Sequence, residues 1–295
     1  DAATQDIFGR LRGLPFVKSG HDGLIVHDAV QDAIAATLRS SDPARYSEYR
    51  RAVWRQLRSE VRTAGLTELW RYTADLLDII ENPVIREAFF PSGAQQFVVE
   101  PARPEDGPAI QVISAMHEGP GAAKILEEYW THLPNSFHAV RDRENEVVGF
   151  YCMFDLNTIS QSFMQLDPIG CVWYTHLRAN PVPKNQRVLF IHRWLSREHG
   201  EAPSPVQAAC WLDIKRTYME LRPNLQRVYL TVRNLQTYSP AAVKLGILPI
   251  AEAGVALDGS KYHSAALDFG PKSVDGWLAN LVAAELGIEN GITLN

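Results

Sequence analysis

Two side chains of this 295-residue sequence have the chemistry to move protons. His176 falls in a predicted strand at residues 171–177, where an imidazole could act as a general base or be a hydrogen-bonded structural residue. Tyr238 falls near the start of a predicted helix, where its phenol could donate a proton or be a buried or capping side chain. The sequence leaves both interpretations open for each residue.

A group of polar side chains stands at the start of a second predicted helix, at residues 186–199. Lys184, Gln186 and Arg187 could donate ordinary or charge-assisted hydrogen bonds to a phosphate. The positive end of the helix dipole would favour an anion at the same place. These residues could instead only cap and solvate the helix.

Other catalytic and metal-binding patterns are missing from the sequence. GxSxG, HExxH, Cys-His-Asp and EF-hand arrangements do not occur. His192 and His199 lie two turns apart on the predicted helix, too far to share a metal ion without a third ligand. We therefore predict no metal site.

Composition and charge indicate a globular protein of the cytoplasm. The hydrophobic fraction is 46%, which can form a core, and the net charge of −5 gives no basic excess, so a nucleic-acid partner is not expected. Neither a signal peptide nor an apolar run long enough for a membrane span is present. The three cysteines, an odd number in apolar contexts, favour buried thiols in a reducing compartment: Cys152, Cys171 and Cys210.

The pattern along the chain predicts two domains, residues 1–93 and 94–295. The first reads as a hairpin at 15–27 followed by helices that begin at Asp28 and at Asp42-Pro43, with a third at 67–80. The chain begins without Met inside a helical pattern, so we expect it to be a fragment of a longer protein. Pro91-Ser92-Gly93-Ala94 is the predicted boundary.

The second domain reads as alternating strands and helices. Predicted strands lie at 97–100, 137–141, 146–154, 171–177 and 228 onward, and a final hairpin covers 251–257 and 263–269. Predicted helices lie at 106–118, 121–132, 186–199, 205–221 and 274–286. This pattern predicts an α/β (α+β) sandwich around a mixed sheet.

The first domain resembles the winged-helix and first helical-repeat region of STAND-type signalling ATPases. Residues 14–17, Gly23-Leu24, 27–30 and 42–46 carry the resemblance. No GxxxxGK[ST] loop occurs in the chain, so the resemblance implies that the ATPase lies upstream and is a partner of this part.

The second domain resembles the acetyl-CoA-dependent N-acyltransferases of the GNAT superfamily. Residues 227–249, RVYLTVRNLQTYSPAAVKLGILP, read as a strand, a helix and a strand with Asn234 at the turn, and residues 97–106 resemble the family's opening strand and helix. The resemblance implies a GNAT-like mixed sheet with flanking helices and acetyl-CoA as a cofactor near Asn234.

The resemblance also implies where the cofactor's pyrophosphate binds. The family holds it on backbone N–H groups at the start of the central helix, in a Gln/Arg-x-x-Gly-x-Gly/Ala pattern. The stretch matched to that pattern keeps a basic residue but has no glycine: Lys184, Asn185, Gln186, Arg187 and Val188. The usual tyrosine four residues before the closing glycine is Ala242.

These departures leave three hypotheses about function. The first is a regulatory domain of a signalling ATPase that binds acyl-CoA or another small ligand and has a degenerate acetyltransferase site. The second is an active N-acetyltransferase that recognises phosphate through side chains. The third is a protein-interaction module without a small-molecule ligand.

Overall fold

The computed structural model describes residues 2–20, 23–63, 79–89, 94–251 and 254–287. Contacts between residues divide the chain into two units, Asp1–Ser59 and Glu60–Asn295. The predicted boundary at residues 91–93 lies outside the described residues, as do the tip of the predicted hairpin at residues 21–22 and nearly all of the predicted helix 67–80.

The first unit is a hairpin among helices, as the sequence predicts. Its elements are α1 (Ala2–Arg12), β1 (Val17–Gly20), β2 (Gly23–Val26), α2 (Asp28–Ser41) and α3 (Pro43–Thr63), which runs into the second unit. The strands pair in antiparallel fashion. The Asp42 carboxylate accepts the Arg45 N–H at 3.0 Å, and Pro43 occupies the first turn of α3, where no N–H is needed. The predicted hairpin and both predicted helix starts are confirmed.

The second unit contains eight strands and eight α-helices within its described residues. The helices are α4 (Pro83–Phe89), α5 (Gly107–His117), α6 (Pro120–His132), α7 (Gln161–Leu166), α8 (Pro168–Ala179), α9 (Pro205–Glu220), α10 (Leu235–Leu245) and α11 (Ser273–Glu285). The strands are β3 (Val98–Pro101), β4 (Phe137–Arg141), β5 (Val147–Asp155), β6 (Arg187–Ser196), β7 (Leu225–Val232), β8 (Ile247–Pro249), β9 (Val255–Leu257) and β10 (Ser260–Asp268).

The strands form one mixed sheet in the order β3-β4-β5-β6-β7-β10-β8, with β9 paired to β10. The pair β6–β7 is parallel, and the other pairs among the described residues are antiparallel. This order, with one central parallel pair and helices on the faces, is a GNAT-like fold. The predicted fold class is confirmed.

The secondary structure predicted from the sequence is wrong for two elements. Residues 171–177 belong to helix α8 because Asp167 accepts the Ile169 N–H at 2.9 Å and Pro168 occupies the first turn, a start signal that overrides the strand propensity of the segment. Residues 187–196 form strand β6 rather than a helix. This strand is buried along nearly its whole length, so its apolar run shows no alternation that would distinguish strand from helix.

The core lies between the sheet and the helices α5, α6 and α8. Phe190 of β6 stacks on Tyr229 of β7 at 5.2 Å between ring centroids, and Trp173 of α8 covers both rings. Neighbouring strand residues point to opposite faces, so Leu230 and Val232 face the other side, where α9 and α10 lie. Every described helix is too short or too polar to cross a bilayer.

The two central strands separate near their carboxyl ends. Pairing between β6 and β7 ends at Ile191 and Leu230, although β6 continues to Ser196. On the β5 side, the register shifts so that His192 is left out between its paired neighbours Ile191 and Arg193. The bulge and the divergence open the sheet at the end from which α9 starts.

Candidate ligand-binding site

A cavity of about 810 Å³ lies between α9, α10 and the separated strands. Its lining is mostly apolar, which is typical of small-molecule sites. Leu230 and Val232 of β7 form its floor, and Trp194 of β6 lies where the strands separate. Pro83 and Val84 of α4 add to its wall. The separated strands and two helices thus enclose a space with few polar groups.

Three aromatic rings form a continuous wall of this cavity. Trp194 contacts Trp211 of α9 at 4.9 Å between ring centroids and Tyr238 of α10 at 5.7 Å, both edge to face. Burial raises the pKa of Tyr238 to about 12, so its phenol keeps its proton at neutral pH. The Tyr238 hydroxyl donates to the backbone carbonyl of Glu201.

The segment between β6 and α9 matches the phosphate-binding pattern of the family. Residues 197–202 read Arg-Glu-His-Gly-Glu-Ala, which is Arg-x-x-Gly-x-Ala, and they directly precede Pro203, Ser204 and Pro205 on the cavity wall. Sequence reasoning missed this match because it placed a helix over 186–199 and so looked for the pattern before β6. The signal itself was present in the sequence.

Gly200 fixes the shape of this loop. Its φ is +57°, a conformation that favours glycine, and a Cβ placed there would come within 2.9 Å of Nδ1 of His117. The His117 ring is held in turn, because its Nε2 lies 2.8 Å from the carbonyl oxygen of Arg197. Gly200 is therefore required by the turn itself and by the His117 ring that packs against it.

Helix α9 begins directly after the loop. Ser204 caps it by accepting the Gln207 N–H at 3.1 Å, and Pro205 occupies the first turn. The N-terminal end of a helix of this length favours an anion. The helix start and the adjoining cavity together fit an anionic group with an extended arm, such as the pyrophosphate and pantetheine of CoA.

A buried ionic cluster fills the sheet opening on the face opposite α9. Arg193 is 1% exposed and donates to Oε1 of Glu118 from Nε at 2.9 Å and from Nη2 at 2.6 Å. Its Nη1 donates to Glu201, and the Tyr262 hydroxyl donates to Glu118. The Glu201 carboxylate also accepts the Arg233 N–H at 2.9 Å. These bonds tie the loop, β7 and the end of α5 together.

A second cleft of about 600 Å³ lies beside the loop. It is lined by Glu201, Arg233, Asn234, Ser260 and Lys261 among others. Tyr238 lines both this polar cleft and the apolar cavity, so its side chain lies at their junction.

The structure does not place the predicted phosphate-binding residues at a helix start. Lys184, Asn185 and Gln186 lie in the turn before β6, and Arg187 begins that strand with its Nε donating to Oδ2 of Asp155 at 2.6 Å. Val188 is buried in the strand. A strand of this length spans about 33 Å, so these residues lie at the opposite end of β6 from the loop. The predicted helix position is wrong, and the glycine-free stretch is not the pattern loop.

His176 lies on helix α8 rather than on a strand. Its Nδ1 is 2.9 Å from the hydroxyl of Tyr229, whose ring belongs to the core on the face opposite the cavity. Burial lowers the pKa of His176, with a further lowering by the Arg227 guanidinium. The structure therefore separates His176 from Tyr238 by the thickness of the sheet.

Asn234 lies at the junction predicted for it. Its Oδ1 accepts the Thr237 N–H at 3.1 Å and so caps α10, and the residue lines the second cleft. Of the predicted site residues, the structure thus places Asn234 and Tyr238 near one another. Residues 197–205, which were not predicted, lie beside them. Within the described residues, no group of three or more His, Cys, Asp or Glu side chains could hold a metal ion.

Comparisons with known proteins show that this chain is similar to them in its fold only. No protein-family model and no curated protein matches the chain. Among solved structures, FeeM, an N-acyl amino acid synthase from uncultured soil microbes, is 14% identical with a TM-score of 0.41, covering 61% of this chain and 96% of that chain.

Arabidopsis thaliana NAA60 in complex with a bisubstrate analogue is 14% identical with a TM-score of 0.39, covering 58% of this chain and 96% of that one. A GNAT-family acetyltransferase from Bacillus cereus is 11% identical with a TM-score of 0.34, covering 58% of this chain and 96% of that one. At these values we carry over no activity, and the fold assignment rests on the strand order.

Proposed function

We propose that the GNAT-like unit binds an acyl-CoA thioester in the cavity between α9 and α10 and serves as a ligand-sensing domain. One observation carries the proposal: residues 197–202 keep the Arg-x-x-Gly-x-Ala pattern at the start of α9, beside the cavity. The N-terminal end of α9, which directly follows this loop, would hold the pyrophosphate. The aromatic wall of Trp194, Trp211 and Tyr238 would pack against the pantetheine arm of the acyl-CoA.

The buried ionic cluster supports binding without fast transfer to an external amine. Arg193 and Glu118 fill the sheet opening opposite the cavity and are 1% and 6% exposed. An amine that approached the thioester from that side would have to displace a paired, desolvated ion cluster, and breaking such a pair costs about 3–5 kcal/mol. The reason to propose a degenerate site is therefore this closed face and not the missing glycines at 184–188.

A regulatory role within a larger signalling protein forms part of the proposal. It is supported by the resemblance of the first domain to the winged-helix region of STAND-type ATPases. The partner would then be the upstream ATPase region. Pull-down of this chain with such a region, with and without nucleotide and acetyl-CoA, tests it, and a lack of any binding would count against it.

Filling the cavity tests ligand binding directly. Ala208 of α9 lines the cavity. We expect wild-type protein to bind acetyl-CoA in calorimetric titration and Ala208→Trp to bind at least about tenfold more weakly, because the indole would occupy the space of the arm.

Ala115→Trp is the matched control, because Ala115 lies on the exposed face of α5 and the substitution adds the same side chain away from this cavity. Equal affinity of the two variants, or no binding by the wild type, would contradict the proposed site. Thermal unfolding of each variant separates lost binding from lost folding.

A second candidate function, N-acetyl transfer to an amine bound in the polar cleft, is favoured by the position of Tyr238. This side chain lines both spaces and holds its proton, as a general acid for the departing thiolate must. If the protein is such an enzyme, Tyr238→Phe is expected to lower turnover about 100-fold with little change in acetyl-CoA affinity. Thiol release with a panel of amines measures this, and binding without turnover on any amine would reject the second function.

A further inference from the structure

Among the described residues that line the cavity there is one lysine, Lys215. It lies on α9 ten residues after Pro205, the first residue of the helix, and so about 15 Å along the helix axis from that residue. The side chain is 7% exposed to solvent and lines the cavity. Lysine is rarely buried to this extent.

Lys215 shares the aromatic wall with the residues assigned to the thioester. Its Nζ lies 5.4 Å from the ring centroid of Trp211, which contacts Trp194, which contacts Tyr238. Two indole rings thus lie between the Lys215 amine and the Tyr238 phenol along one wall of the cavity. A ligand arm that enters beside Pro203 and follows this wall runs toward Lys215.

Burial favours the neutral, nucleophilic form of the Lys215 amine. Burial lowers the pKa of Lys215 to about 7, because the charged form loses its hydration. Among the described lining residues, the other titratable groups are Glu87 of α4, Tyr218 of α9 and Tyr238 of α10. Burial raises the pKa values of both tyrosines, so they remain neutral at the pH where Lys215 loses its proton.

We propose that Lys215 is the acyl acceptor of this domain, so that a bound acyl thioester acylates its own binding protein on the Nζ atom. The inference rests on the proposed function, because the cavity must first hold the thioester. It also accounts for the closed face of the sheet, since an acceptor inside the cavity does not need the route past Arg193.

The reaction balances without another reagent. The lone pair of the neutral Nζ attacks the thioester carbonyl carbon, the C–N bond forms, and the C–S bond breaks as the tetrahedral intermediate collapses. The proton lost from nitrogen goes to the departing thiolate, giving an amide on Lys215 and free CoA thiol. The amide cannot be protonated at neutral pH, so the cavity wall loses a titratable group. The acyl group remains covalently attached to Lys215.

Mass spectrometry of the full chain tests the inference. After incubation with acetyl-CoA, we expect one acetyl group per chain, mapped by peptide analysis to Lys215 and absent in Lys215→Arg. Lys124→Arg is the control, because Lys124 is exposed on α6, lines neither the cavity nor the polar cleft, and should leave the modification unchanged. The initial rate should rise with pH through about 7 and then level off, whereas an ordinary exposed lysine would continue to gain reactivity toward pH 10.

A thioether analogue of acetyl-CoA cannot transfer its acyl group. Its binding therefore tests whether the cavity holds the ligand, separately from whether Lys215 is acylated. Binding of the analogue without acetylation of Lys215, or acetylation only at other lysines, overturns this inference and leaves the proposed function standing. No binding overturns both. Peptide mapping of the wild-type protein decides the outcome even if Lys215→Arg does not fold.

Discussion

Arg193→Met is expected to lower the free energy of unfolding by about 3–5 kcal/mol, the cost of removing one partner of a buried ion pair. The methionine has similar length but leaves the Glu118 carboxylate, 6% exposed, without the guanidinium that donates to it from two nitrogens. It also removes the guanidinium that donates to Glu201 in the loop 197–202. Denaturant unfolding followed by circular dichroism measures the change.

Arg216→Met is the matched control. Arg216 pairs with Asp213 and Glu220 on α9, but its side chain is 65% exposed, and surface pairs contribute about 1 kcal/mol or less. If Arg193→Met costs no more than Arg216→Met, the cluster is not the closed, desolvated barrier on which the regulatory proposal depends.

Gly200→Ala is expected to abolish acetyl-CoA binding at concentrations where the wild type is saturated. The new Cβ would approach the His117 ring at 2.9 Å, and that ring is bonded to the loop through Arg197, so the loop must move. The positive φ adds strain of about 1–2 kcal/mol in the folded state. Calorimetric titration and thermal unfolding report the two effects separately.

Gly246→Ala isolates the backbone strain. Gly246 ends α10 at φ +78°, and a Cβ there would meet nothing within 4 Å. Both variants should lose similar stability from strain, but only Gly200→Ala should lose ligand. Loss of binding in both variants, or in neither, would show that acetyl-CoA binding does not depend on the shape of residues 197–202.

The fold was predictable because several local signals agreed with one another. The break between the predicted strands 137–141 and 146–154, the helix start at Asp42-Pro43 and the turn at Asn234 each follow from short-range chemistry. The first and the last contribute to the alternation from which the mixed sheet was predicted.

The site was harder to predict, because its position depends on elements whose periodicity is hidden by burial. Strand β6 is covered on both faces, and α8 contains strand-favouring residues held in a helix by the Asp167 cap. Because a strand was predicted where α8 lies and a helix where β6 lies, the sequence analysis placed the phosphate-binding pattern at 184–188, whereas the matching residues are 197–202. The contact of Arg193 with Glu118, residues 75 positions apart, had no local signal at all.

Helix α4 has a practical consequence for any attempt to isolate the acyltransferase-like unit. Glu285 of α11 accepts the N–H groups of Glu81 and Asn82 at 2.7 and 3.1 Å, so the segment leading into α4 is anchored to the far end of the chain. Pro83, at the start of this segment's helix, forms part of the ligand wall. A truncated protein that starts at residue 94 would therefore lack part of the cavity wall, and failure of that protein to bind a ligand would say nothing about the longer chain.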